Sequence, residues 1–224
     1  MNYAILILAL AFAPLLPLVA TFYFWFARWK CRKVAVSSGL KGRETALRLL
    51  SENGLADIPV ESANEMVGDH FDPKARKIAL SADVLEQSSA FALAVAAHEV
   101  GHALQQKEGY RWFGWWMAVA PYVHLATFIF QVVVMLFASV FPPILFLLVI
   151  SYSLLFLMSI LTLPVEYDAS RRALNELERT GLLTTPEEKS AAKTVLIAAG
   201  LTYVAKAIQD LFLAIYFALR TFRR

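Results

Sequence analysis

The sequence predicts a mainly α integral membrane protein, with three or four membrane helices and one small α+β domain. Three observations carry that class. Hydrophobic residues fill 58% of the 224 positions and charged residues only 17%, against roughly a quarter in ordinary soluble domains. The mean hydropathy is +0.55, which is more apolar surface than a soluble globule of this size can bury. The charges are also segregated, with long uncharged tracts flanking polar stretches. This balance excludes intrinsic disorder, which needs few apolar residues and much charge. A net charge of +3, with no basic stripe interleaved with aromatics, gives no support to nucleic-acid binding. The single cysteine, Cys31, excludes a disulfide framework and a cysteine-based zinc cluster.

Residues 1–28 make the first expected membrane helix. From Tyr3 to Ala27 the block is uncharged, long enough to cross a hydrocarbon core of ~30 Å, which takes ~20 helical residues. No Lys or Arg precedes the block and no clear small-x-small site follows, which argues against a cleaved signal peptide. Arg28, Lys30, Arg32 and Lys33 come next, and the positive-inside rule puts this end in the cytoplasm. Cys31, beside the membrane, is a candidate for palmitoylation or a plain thiol.

Residues 29–111 carry most of the polar sequence and are expected to form the cytoplasmic domain. Gly42 to Asn53 alternates charge with Ala46, Leu47, Leu49 and Leu50 ahead of Gly54, an amphipathic helix with its C-cap. Asp57 to Ser62, Glu65 to Gly68 and Lys77 to Ser81 are short strand candidates. Gly68-Asp69-His70-Phe71-Asp72-Pro73 reads as a turn-rich loop. Glu86 to Gln106, rich in Ala, Val, Leu and Phe, reads as one buried helix.

Residues 112–164 contain no charge and fit a transmembrane hairpin broken at Phe141-Pro142-Pro143. Trp112, Phe113, Trp115 and Trp116 open it as an interfacial aromatic cluster. His124 and Gln131, seven apart on one helical face, are expected to satisfy each other or nearby backbone. Two crossings return the chain to its starting side, where Arg171, Arg172 and Arg179 lie in an expected helix over residues 165–190 starting at Pro164. Residues 191–224 are apolar but contain Lys193, Lys206 and Asp210. They read either as a fourth crossing or as a membrane-associated helix, with the orientation open.

The motif that carries chemistry is His98-Glu99-Val100-Gly101-His102, inside the buried helix. Residues four apart share a helical face with side chains ~5–6 Å apart, so both imidazoles can reach one metal ion. Zinc suits nitrogen ligands and keeps an open coordination position in catalytic sites. Glu99 can then act as general base toward a water held at the metal. Two buried histidines in a chance pattern are the bland alternative, but an unpartnered buried carboxylate is expensive. A third ligand is expected, and Glu166 is the best candidate. The alternative for Glu166 is a helix-start carboxylate favoured by the helix dipole. Asp168, two residues on, would point elsewhere on a helix.

These residues resemble the bacterial membrane-embedded neutral zinc metallopeptidases of the YugP type. The resemblance rests on Gly68 to Pro73, Leu80-Ser81, Ala96 to Gln105 and Pro164 to Ala173, and covers nearly the whole chain. More distantly the chain is similar to the HtpX-like and prenyl-protein-processing membrane zincins. The resemblance implies a zincin-like domain, one catalytic Zn2+ held by His98, His102 and Glu166, and Glu99 as the catalytic residue. That wider group often has Asp four residues beyond the liganding Glu; here the position is Ser170, so the surroundings of the ligands must differ.

His70, Tyr167, Asp168, Ser170 and Arg171 are weaker candidates for supporting the ligands or touching substrate. His70 with Asp69 and Asp72 could line the cleft or bind a second cation, or simply form an Asp-stabilised turn. Lys77 to Ser81 could be an edge strand for an extended peptide. The expectation is an integral membrane zinc endopeptidase of the bacterial plasma membrane, with a cytoplasmic site, the lipid bilayer as partner and membrane or membrane-adjacent polypeptides as substrates. The competing readings are a non-proteolytic zinc-binding scaffold or chaperone, and a transporter component. A transporter would call for more ionisable groups inside the crossings than His124 alone.

Overall fold

A computed structural model describes residues 13–64, 68–137 and 139–221. The helices are α1 (Leu15–Cys31), α2 (Gly42–Glu52), α3 (Ala82–Leu85), α4 (Ala90–Lys107), α5 (Arg111–Phe137), α6 (Phe146–Arg179) and α7 (Pro186–Thr221). Strands β1 (Val60–Ser62), β2 (His70–Asp72) and β3 (Lys77–Leu80) lie between α2 and α3. The chain divides into two compact units. One comprises Met1–Phe22, Gly114–Pro164 and Leu201–Arg224, the other Tyr23–Phe113 and Val165–Gly200.

In the first unit, apolar composition builds helices whose few polar groups find one another. Among the described residues three helices, α5, α6 and α7, are long and apolar enough to cross a membrane. The expected first crossing over residues 1–28 is described only from residue 13, and its earlier part lies outside the described residues. The expected break between the two crossings is present as a 3-10 turn at Pro142–Leu145. Asp210 is 2% exposed, accepting from Lys206 Nζ at 2.7 Å and from Ser159 Oγ at 3.0 Å. A buried carboxylate survives in such surroundings only when paired in this way. Gln131 donates to Ser151 Oγ at 3.3 Å, while the His124 carbonyl accepts from Thr127 Oγ1. Gln131 therefore pairs across to the next helix, and not with His124.

The helix boundaries correct two expectations. Pro164 does not start a helix: it lies inside α6, which runs unbroken for 34 residues. Proline removes one backbone hydrogen bond, a loss that packed membrane helices tolerate through neighbouring groups. The expected helix over 165–190 is thus two pieces, the end of α6 and the start of α7. Thr185 Oγ1 accepts from the Glu188 N–H at 3.2 Å, capping α7 earlier than hydropathy alone suggests.

The second unit packs α2, α3, α4 and the sheet around one apolar core that includes Leu49, Leu50, Ile78, Leu80 and Phe91. Lys41 N–H donates to Glu44 at 2.8 Å to start α2, and Gly54, with φ +65, supplies its left-handed stop. Ser89 Oγ accepts from Ala92 N–H and opens α4, so the helix begins at Ala90 and not at Glu86. Glu188 ties the start of α7 to the segment after α1 by accepting the N–H groups of Ser37 and Thr184 at 2.8 and 2.7 Å, together with the Ser37 hydroxyl.

The sheet order is β1-β3-β2, with β1 parallel and β2 antiparallel to β3. Two strand expectations change here. The stretch read as a turn-rich loop contains β2, whose Phe71 pairs with Ile78. Its turn chemistry belongs to the hairpin tip, where Asp72 accepts the N–H groups of Lys74 and Ala75 and Arg76 adopts φ 50. And β3 is the central strand, so β2 takes the edge position expected for Lys77 to Ser81. Of the strand candidate Glu65 to Gly68, residues 65–67 lie outside the described residues, and Gly68 has φ +74.

α4 and α6 touch backbone to backbone at Gly101. A Cβ built there would sit 2.6 Å from the Ala169 carbonyl oxygen. Gly101→Ala should therefore lower stability by about 1–3 kcal/mol, the usual range for overpacking. Gly200→Ala, whose added Cβ meets open space in α7, should stabilise by up to ~1 kcal/mol. Thermal unfolding of the full chain in detergent checks both.

Candidate metal centre

Three ligand-type side chains converge in the second unit. His98 and His102 come from adjacent turns of α4, and Glu166 comes from α6 across the Gly101–Ala169 contact. One ligand atom from each lies within 4.8 Å of the others. His98 Nε2 is 3.1 Å from Glu166 Oε2, and His102 Nε2 is 3.9 Å from the same oxygen. Their side chains are 14%, 13% and 12% exposed. Four tetrahedral ligands ~2.0–2.2 Å from zinc stand about 3.3–3.5 Å apart, so the two-nitrogen, one-oxygen donor set fits that ion in chemistry and in spacing.

The far side of each imidazole is also held. Gln105 lies one turn beyond His102 and is fully buried. Its amide nitrogen donates to the Val165 carbonyl at 2.8 Å and to Asp168 Oδ2 at 3.1 Å. Both N–H groups are therefore occupied, and the amide oxygen faces His102 Nδ1 at 3.0 Å. That assigns the proton to Nδ1 and leaves the Nε2 lone pair toward Glu166. Ser170 Oγ stands 3.2 Å from His98 Nδ1 and supports the other ring. The serine four residues beyond Glu166 thus occupies the position where the wider group often has Asp, and it touches a histidine.

Asp168, two residues beyond Glu166, is not one of the three grouped ligand-type side chains. It is 5% exposed, and it accepts from Arg171 and Arg172 as well as from Gln105. Arg172 continues to Glu108 at 2.6 Å. A charged chain, Glu108–Arg172–Asp168–Gln105, therefore ends on the His102 ring. Phe113 stacks against the same ring at a centroid distance of 5.9 Å.

Glu99 is 7% exposed and has a separate environment. Burial pushes its carboxyl up to about 7, against the His98 charge, with Glu166 and Asp69 adding to the rise and the Phe71 N–H opposing it. Phe71 belongs to the edge strand β2, so the carboxyl is held between the histidine helix and the sheet. Burial, helped by His98, lowers His102 to about 4. Burial also acts to lower His98, but the hydrogen bond to Glu166 and the charges of Glu99 and Glu166 leave it above its ordinary value.

The remaining candidates stand apart from the cluster. His70 Nδ1 meets the Gly68 carbonyl at 2.9 Å, and Asp69 accepts from the Ser81 N–H. Tyr167 is 74% exposed, and the Arg171 head group is engaged by Asp168. Gln105 and Phe71 had no assigned role in the sequence. Gln105 is one of two adjacent amides, with Gln106, just past the second histidine, so residue type alone does not single it out. Phe71 acts through its backbone, which residue type does not reveal.

Comparison with known proteins places the chain in a family. A family model described as "Putative neutral zinc metallopeptidase" matches residues 4–221. The "Putative membrane protease YugP" of Bacillus subtilis (strain 168) is 40% identical over 186 residues, spanning 82% of this chain and 81% of that protein. No solved structure matches the chain. With a match over nearly its full length, the chain belongs to the family described as "Putative neutral zinc metallopeptidase".

Proposed function

We propose that this protein is a membrane-integrated, zinc-dependent endopeptidase that cleaves membrane or membrane-adjacent polypeptides. The observation that supports it best is the placement of Glu99. It is buried next to His98 yet stands outside the group His98, His102 and Glu166. A metal used only as a staple needs no such carboxylate and closes its fourth position with a fourth protein ligand. Among the described residues the group holds three. That weighs against the scaffold reading.

His98, His102 and Glu166 would hold one zinc ion. When bound, the ion supplies Lewis acidity for the scissile carbonyl and eases deprotonation of water. Glu99 takes the proton from the attacking water and returns it to the leaving amine. Gln105 and Ser170 keep the two rings turned with Nε2 inward. Phe113 walls off one face of His102. The edge position of β2, whose Phe71 N–H already reaches Glu99, suits an extended peptide backbone laid alongside by strand addition.

Arg28, Lys30, Arg32 and Lys33 after α1 favour a cytoplasmic position for the second unit in a bacterial plasma membrane. A Cys31→Ser, Lys74→Cys chain in intact cells should then resist an impermeant thiol reagent until the membrane is opened. Labelling in sealed cells would reverse the topology.

Metal content and cleavage separate the roles. Glu99→Gln should keep its zinc and lose about 100- to 10,000-fold in rate. His98→Ala and Glu166→Ala should lose the metal itself. Full-rate cleavage by Glu99→Gln would sink the mechanism, and full zinc retention by Glu166→Ala would remove that ligand. Gln105→Leu keeps the volume but not the hydrogen bond to His102. It should weaken zinc binding about 10- to 100-fold, the usual effect of losing a ligand's orienting partner, as read by competition with a chromogenic chelator.

A further inference from the structure

We propose that a cleft at the C-terminal end of α1 binds the phosphate of an anionic phospholipid headgroup. The cleft has a volume of about 650 Å³ and is lined by α1, Lys33 and residues 87–89. Trp25, Arg28, Trp29 and Arg32 follow the i, i+3, i+4, i+7 spacing that places them along one helical face. Residue 89 is the N-cap of α4.

Charge in the cleft is not balanced. Arg28 and Arg32 both engage one carboxylate, Asp83. Lys33 is paired with no carboxylate among the described residues; its Nζ lies 3.6 Å over the Trp29 ring. Three lining cations thus face one anion. Aromatic faces orient the cations: the Arg28 guanidinium lies 5.0 Å from the Trp25 ring and 5.3 Å from the Phe91 ring. Gln87 Oε1 accepts from Arg32 Nε at 3.2 Å, directing that guanidinium from behind. Rings hold one face of Arg28 and of Lys33 and Gln87 holds Arg32, and the remaining N–H groups suit a phosphate oxygen.

The surroundings identify the source of the phosphate. Trp25, Phe26 and Trp29 are 55%, 57% and 58% exposed, at the point where an apolar helix gives way to Arg28, Lys30, Arg32 and Lys33. Exposed tryptophans beside a basic cluster sit at headgroup depth, where anionic lipid is concentrated. The cleft therefore meets a phosphodiester whose acyl chains are already in the bilayer. This inference is independent of the peptidase reading, because it concerns lipid binding alone.

The test uses the full chain in detergent, titrated with phosphatidylglycerol, phosphatidylcholine or inorganic phosphate, with binding read by native mass spectrometry and by thermal shift. Saturable binding of phosphatidylglycerol over phosphatidylcholine is expected. Lys33→Gln, which breaks no ion pair, should weaken it about fivefold, and Arg32→Gln with Lys33→Gln about 30-fold, taking the usual value of one cation near an anionic surface. Equal binding of both lipids, or phosphatidylglycerol affinity unchanged in Lys33→Gln, would overturn the proposal. So would inorganic phosphate at millimolar concentration displacing the lipid and giving the same thermal shift, which would make this a free-anion site.

Discussion

The candidate centre depends on two helices meeting without a side chain between them. Gly101 offers α4 a bare backbone, and the Ala169 carbonyl of α6 occupies the space where a Cβ would stand. Everything that joins α4 to Glu166 follows from that approach. The carboxylate reaches both imidazoles, Gln105 reaches the Val165 carbonyl, and Ser170 reaches His98. Helices separated by ordinary side chains stand 8–10 Å apart between axes, and short side chains such as Ser170 would not bridge a wider gap. The glycine between the two ligands' turns thus has a mechanical reason to be there.

Much of this was legible from residue type and spacing. The histidines four apart, the carboxylate beyond the hairpin, the cap at Gly54 and the Lys206–Asp210 pair all rest on local rules that the fold respects. Three features were not legible, each for a physical reason. Pro164 looks like a helix start because proline favours a first turn, but a packed helix absorbs one missing hydrogen bond. β2 looks like a loop because Asp72 and Pro73 signal a turn; they do make one, immediately after three residues that pair with β3. Gln105 is a single amide whose importance lies in three partners from two helices, and no local pattern encodes that.

Burying His98, Glu99, His102 and Glu166 together sets an electrostatic problem. Two carboxylates in a low-dielectric space repel each other, and burial alone raises Glu99. The protein meets part of that demand through the Phe71 N–H, which donates to Glu99, and through the Gln105 amide oxygen and the Ser170 hydroxyl, which face Nδ1 of His102 and of His98. On the proposed reading, a divalent cation offsets the remainder, coupling occupancy of the centre to the stability of the helix pair. In the neighbouring network Arg171 and Arg172 face Asp168, and Arg172 also meets Glu108, so two guanidinium groups are set against two carboxylates where Gln105 is anchored.

The continuity of α6 and the long reach from His98 to Glu166 have a consequence for synthesis. The two residues are 68 positions apart, and the hairpin lies between them. A chain emerging from the ribosome therefore displays both histidines and Glu99 well before Glu166 exists. The tie from Ser37 to Glu188 spans 151 positions and closes later still. Vectorial translation thus delays the complete ligand set until the hairpin has been made. On the proposed reading, a hydrolytic centre assembled in that order stays silent toward its own nascent chain until Glu166 has been made.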